Sequence, residues 1–278
     1  MGMEFYWTDE DTETTRSIVS GWVGMMAFEG NPEGLREIHM DVCSRLENLG
    51  FSIELEHNVE APYRPLISAI RESNDKGRWL GFWGHYDVEP ANDEDWSTNP
   101  WKLEEVDSRW IGRGVGDNLV PLAQRLVIFE KLDRSVNIAY FLQGEEEIGS
   151  PFAESRYGAL KIPPIDLWIE ETGYFYKDGR QRFMVLNQNE LLDDILEKLQ
   201  MVLEEDGRGW TVRNRALNKA FGADRCPCLN HLLGEIPYLA IGPNDDFSTV
   251  HGIDESLDPS LLPICAKQLA KIVEVMSE

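Results

Sequence analysis

The stretch Trp79-Leu80-Gly81-Phe82-Trp83-Gly84-His85-Tyr86-Asp87-Val88-Glu89-Pro90 decides the fold class. Its first five residues are apolar without alternation, the mark of a strand covered on both faces, as in a parallel sheet packed between helices. His85 stands at the end of that run, where an open α/β sheet presents its site. The pattern recurs. Val136 to Leu142 is a second buried-strand run and delivers Gly144-Glu145-Glu146-Glu147-Ile148-Gly149-Ser150 to its carboxyl end. Ile165 to Ile169 delivers Glu170 and Glu171, and Ile236 to Ile241 reads as a last core strand, with His251 in a loop beyond it.

The remaining elements fit around these strands. Asn31-Pro32-Glu33 reads as an N-cap, a proline at the first helical position and an acidic first turn. Leu35, Ile38, Val42, Leu46 and Leu49 then repeat at helical spacing up to Gly50. Phe51 to Leu55 alternates like a half-buried strand, with Pro65 to Ile70 its expected neighbour. Trp101 to Ile111 carries polar turn residues, Asp107 and Ser108, between two apolar segments, which predicts a hairpin leading into Gly112-Arg113-Gly114. Leu119 to Phe129, the stretch from Glu190 through Leu199, and Pro259 to Met276 read as helices. The expectation is one α/β domain spanning residues 1–278, a three-layer sandwich with a mostly parallel mixed central sheet flanked by helices.

Composition narrows the function. The chain has 278 residues, 42% hydrophobic and 27% charged, enough for a full core. Its net charge of −24 disfavours nucleic acid and anionic lipid surfaces as partners. The first ten residues lack a basic leader and an apolar h-region, and no run approaches the ~20 apolar residues a bilayer requires, so a cytoplasmic protein is expected. Four cysteines (Cys43, Cys226, Cys228, Cys265) do not make a disulfide framework. Cys226-Pro227-Cys228 has one residue between its thiols where zinc and redox motifs have two, and is read as structural.

Three loops carry the chemistry. His85 and Asp87 are two residues apart, so in extended backbone they project to one side, and the carboxylate can orient the imidazole. Asp117 follows a glycine-rich turn and either approaches a metal or caps the helix that begins there. Glu145, Glu146 and Glu147 repel one another unless a cation or protons compensate them, or unless they form a solvated acidic loop.

Together these motifs resemble the M20 metallopeptidases. The likeness is carried by His85-Tyr86-Asp87-Val88-Glu89-Pro90, an acidic tract with Trp96, Pro100-Trp101, Gly112-Arg113-Gly114, Asp117-Asn118 and Glu145 to Ser150. It resumes at Glu170-Glu171-Thr172, Gly222-Ala223-Asp224-Arg225, Gly242-Pro243 and His251-Gly252-Ile253-Asp254-Glu255. The resemblance implies two zinc ions bridged by Asp117, with cobalt or manganese as possible substitutes. His85 and Glu170 would hold one ion, and Glu147 and His251 the other. Glu146 would be the general base and Asp87 would steer His85. The choices among Glu145, Glu146 and Glu147, and between Glu170 and Glu171, rest on matching the family's motif.

Two departures from that family stand out. Leu119-Val120 replaces its usual Lys-Gly pair after the bridging aspartate. Only residues 172–189 separate the Glu170 segment from the helix at Glu190, where most relatives insert a lid domain that supplies dimer contacts and an oxyanion-stabilising histidine. A connector that short cannot hold a domain, so a lidless monomer is expected. His39, His57 and His231 do not match the lid's histidine, and Arg225, Tyr174 and Asn230 are the other candidate donors. The resemblance points to hydrolysis of an amide bond in a small peptide or an acylated amino acid. A biosynthetic amide-forming, cyclising or carrier-releasing enzyme using the same metal site and a non-catalytic metal binder are the alternatives.

Overall fold

A computed structural model describes residues 5–73, 77–132, 134–171, 173–215 and 232–278. The chain opens with α1 (Asp9–Met25), whose cap Thr8 exchanges hydrogen bonds with Asp11, and α2 (Pro32–Asn48), capped by Asn31 as its sequence indicates. Strands β1 (Ser52–Glu56), β2 (Leu66–Arg71) and β3 (Trp79–His85) follow. The hairpin β4 (Glu104–Val106) and β5 (Arg109–Ile111) turns through Asp107 and Ser108, both at positive φ. Next come α3 (Val120–Lys131), β6 (Asn137–Gln143), the short α4 (Pro151–Tyr157) and β7 (Leu167–Glu170). Then β8 (Tyr174–Phe175) and β9 (Gln181–Leu186) lead to α5 (Glu190–Glu205) and β10 (Trp210–Asn214). The chain closes with β11 (Tyr238–Ala240), β12 (Asn244–Asp245), β13 (Ser256–Leu257) and α6 (Leu262–Ser277).

The main sheet runs β1-β2-β6-β3-β7-β11-β9-β8-β12, with β10 also paired to β9. Its centre, β6-β3-β7-β11, is parallel, and antiparallel pairs flank it on both sides. Neighbouring residues along the central strands face opposite layers. Phe82, Tyr140 and Ile169 join the core under α1, α2, α3, α5 and α6. Trp83, Phe141 and Trp168 join a second core with Ala153 and Tyr157 of α4. This explains the absence of alternation in Trp79 to Trp83, since both faces are buried. The β4–β5 hairpin forms a separate three-stranded sheet with β13, which brings residues 255–257 against the glycine-rich turn. Between β7 and α5 the described residues run through β8 and β9, both strands of the main sheet.

The carboxyl ends of β3, β6, β7 and β11 converge. At β7 and β11 the backbones cross so closely that a Cβ on Gly173 would meet the Gly242 nitrogen at 1.8 Å, and one on Gly242 would meet the Glu171 carbonyl oxygen at 2.0 Å. No flexible side chain can yield there. Gly173→Ala is therefore expected to lower stability by about 1–3 kcal/mol in chemical denaturation. Gly158→Ala, where nothing lies within 4 Å, should stay within about 0.5 kcal/mol of the parent; equal effects at the two positions would contradict this packing.

Candidate metal centre

His85, the last residue of β3, is buried and points its Nε2 at Asp117 Oδ1, 2.8 Å away. Its other nitrogen, Nδ1, lies 3.0 Å from the Asp87 main-chain oxygen and 3.4 Å from the Asp87 carboxylate. Asp87 thus orients the ring chiefly through its backbone. Its carboxylate accepts from the Glu146 and Glu147 amides at 3.1 and 3.0 Å, clamping the turn that follows β6.

Asp117 sits in a turn whose backbone is non-helical at Asp117 and Asn118, with a cis peptide between them. It does not cap α3, which begins at Val120. Instead Glu255 holds the turn in place. Its carboxylate, 1% exposed, accepts from the amides of Gly114 (2.9 Å), Gly116 (2.8 Å) and Asp117 (3.0 Å) and from Arg113 (2.8 Å). Gly114 lies at φ +80°, where a Cβ would also strike Val88, so glycine is required at that point. Arg113 further donates to the Gly252 carbonyl, which ties the Asp117 turn to the loop carrying His251.

The three glutamates divide by role. Glu145 is turned away and accepts from the Phe152 and Ala153 amides at 2.6 and 2.7 Å, satisfying the first turn of α4. Glu146 and Glu147 remain at the site. His251 Nε2 lies 3.0 Å from Glu147 Oε2 and 3.2 Å from Asp117 Oδ2. Among the described residues the two buried Glu147 oxygens accept no aligned hydrogen bond and have His251 as their ion-pair partner. Donor atoms that share one ion at about 2.0–2.2 Å lie roughly 3.4 Å apart in tetrahedral geometry, so these spacings suit a common cation. His85, Asp117 and Glu147 form one group with ligand atoms within 4.8 Å of one another, and Glu89, Glu147 and His251 form another. Glu89, part of the motif after β3, carries no separate signal in the sequence.

Electrostatics leads to the same place. Among the described residues, the ion pairs of Asp117 and Glu147 are to histidines alone. Burial, reinforced by Asp117 and Asp87, pushes the Glu146 carboxyl up to about 7 against the pull of His85. Burial likewise lifts Glu147 to about 8. Asp117 and Glu147 hold the His251 imidazole up at about 11. Burial would lower His85, but Asp117 and Asp87 raise it well above its ordinary range. Against burial, His251 and His85 keep the Asp117 carboxyl low. These are groups that protons must balance when no cation does.

Glu170, the residue expected beside His85, is engaged by a guanidinium and a phenol. As the last residue of β7 it shares the face of Trp168, and its carboxylate accepts from Arg215 (3.0 Å) and the Tyr238 hydroxyl (2.7 Å). Glu171, one residue on, reaches Asn118 at 3.0 Å and Arg125 at 3.1 Å. Of the other histidines, His39 is buried in α2 against the Leu35 and Tyr63 carbonyls, and His57 is exposed beside the Pro62 carbonyl. The Tyr174 hydroxyl donates to Asp246. His231, Arg225, Asn230, the Cys226-Pro227-Cys228 segment and the Gly222–Arg225 motif lie outside the described residues. Cys43 and Cys265 are free thiols. No helix among the described residues is long and apolar enough to cross a membrane.

A parallel-centred sheet that gathers acidic and imidazole groups at its strand ends defines a zinc-peptidase-like fold. The sequence profile of Peptidase family M20/M25/M40 matches residues 81–275, and the chain belongs to that family. It is 29% identical over 165 residues to the Beta-Ala-His dipeptidase of Mus musculus, covering 52% of this chain and 34% of that protein. The chain thus spans about a third of that relative's length. Among solved structures it is similar to the di-peptidase Dug1p of Saccharomyces cerevisiae, at a TM-score of 0.71 and 12% identity over 97% of both chains. Human carnosine dipeptidase 1 also gives 0.71, at 13% identity over 97% of this chain and 98% of that one. At such identities these likenesses speak for the fold.

Glu255 is the residue whose loss should loosen the centre without touching a ligand. Glu255→Gln is expected to weaken zinc binding in calorimetry about 10–100-fold while the protein stays folded. Unchanged affinity would show that the turn does not depend on this carboxylate.

Proposed function

We propose that this chain is a divalent-metal-dependent hydrolase that cleaves the amide bond of a small peptide or an N-acyl amino acid. The observation that carries the reading is the cluster Asp117, Glu147, His85 and His251, whose carboxylates pair only with imidazoles among the described residues, with Glu146 beside them. Zinc fits this mixture of oxygen and imidazole donors, and cobalt or manganese fits nearly as well. Asp117, Glu147 and His251 would hold the ion, with His85 on the second oxygen of Asp117. A divalent cation there would acidify a water molecule and polarise the scissile carbonyl.

The chain's own groups supply the proton transfers. The Glu146 carboxylate would take a proton as the water oxygen bonds to the carbonyl carbon. It would then give that proton to the amide nitrogen as the C–N bond breaks, leaving a carboxylic acid and an amine. Asp87, by holding the amides of Glu146 and Glu147, would keep base and ligand in position. The dipeptidase names of the relatives support a small-peptide substrate. His251, with its side chain 49% exposed, leaves the site reachable by such a molecule. We also read residues 1–278 as one catalytic domain without an inserted lid, acting as a cytoplasmic monomer. The placement of β8 and β9 within the main sheet supports the lidless reading.

Glu146→Gln tests the assignment, because it keeps size and polarity but cannot accept the proton. Dipeptide hydrolysis should fall by about 10²–10⁴-fold with bound metal unchanged. Retained activity in this variant would remove Glu146 from the mechanism.

A further inference from the structure

The ion expected between His85 and the end of β7 needs a carboxylate with an oxygen to give. The two candidates are both committed to guanidinium groups. Glu170, 2% exposed, is paired with Arg215, itself 5% exposed, and also accepts from Tyr238. Glu171, 3% exposed, accepts from Asn118 on one oxygen and from Arg125 on the other.

Arg125 is an unusual residue for its position. It lies on α3 amid Leu122, Ala123, Leu126 and Val127, a helix face buried on the sheet. Its guanidinium enters the core below the site, within 3.4 Å of the Trp83 carbonyl and 3.3 Å of the Tyr140 hydroxyl, and packs over the Phe82 ring at 5.3 Å. These contacts fix the cation under the carboxyl end of β3. A guanidinium cannot be deprotonated in a protein, so its charge is permanent.

The charge balance follows from the pairing. Each glutamate at the end of β7 faces a guanidinium, Glu170 that of Arg215 and Glu171 that of Arg125, while burial beside Glu170 still pushes the Glu171 carboxyl up to about 8. The uncompensated carboxylates are on the other side of Asp117. Both three-residue ligand groups pass through Glu147, with His85 and Asp117 in one and Glu89 and His251 in the other.

We infer that Arg125 occupies the electrostatic place of the second cation, and that this centre holds one divalent ion where its family resemblance leads one to expect two. The inference rests on the metal-dependent reading above but concerns only the count. Arg125 here is a positioning residue, since it neutralises Glu171 and holds it on Asn118.

The test is metal stoichiometry on the full chain, saturated with zinc or manganese, desalted and assayed by elemental analysis. One ion per chain is expected, and the manganese form should give an isolated six-line electron paramagnetic resonance spectrum. Arg125→Met removes the charge and should raise the count from one to two, with an exchange-coupled manganese spectrum. Arg125→Lys keeps the charge and should remain at one. Two ions in the parent protein would overturn the inference and leave the metal-dependent reading intact, whereas no bound ion would overturn both. A count that stays at one in a folded Arg125→Met would overturn the role of Arg125. Should that variant fail to fold, the parent and Arg125→Lys counts still decide.

Discussion

The structure depends on a concentration of buried carboxylates that the protein itself only partly neutralises. Removing a carboxylate from water is costly unless a cation, a proton or several donors compensate it. Asp87 and Glu255 are compensated by backbone amides, and Glu255 also by Arg113. Glu145 is compensated by the start of α4. Asp117 and Glu147 have imidazoles, and among the described residues the Glu147 oxygens accept no aligned hydrogen bond. The deficit is local, and it lies where four strand ends meet.

The sheet makes that deficit possible. Its parallel centre brings the loops after β3, β6, β7 and β11 to one edge, and helices on one side and α4 on the other bury the strands that support them. A rigid frame then holds acidic groups closer together than a mobile loop could. Glu255 illustrates the division of labour, because it binds no candidate ligand side chain yet holds the turn that aims Asp117. At β7 arginines stand against the carboxylates, Arg215 facing Glu170 and Arg125 facing Glu171.

Much of this was legible in the residues. The apolar runs ending at His85, before Gly144 and before Glu170 correspond to β3, β6 and β7, because burial on both faces removes alternation from the sequence itself. The cap at Asn31 marks α2 for a similarly local reason. By contrast, α1 was not read, since its first half is Asp9 to Thr14, polar throughout, and its apolar face begins only near Ile18. Two-residue strands such as β8, β12 and β13 have too little sequence to carry a period. Within the site, the fold brings His85, Asp117, Glu147 and His251 within reach of one another. Glu170 is engaged by Arg215 and Tyr238, which a motif match cannot foresee. Arg125 was passed over inside an apolar helix pattern, and its partner is 46 residues away in the chain.

Zinc-edge anomalous diffraction from crystals of the zinc-loaded protein addresses the central claim most directly. The account predicts an anomalous peak about 2.0–2.2 Å from carboxylate oxygens of Asp117 and Glu147 and from the His251 imidazole. Crystals with no peak among these groups, or with Asp117 and Glu147 paired instead to lysine or arginine side chains, would contradict it.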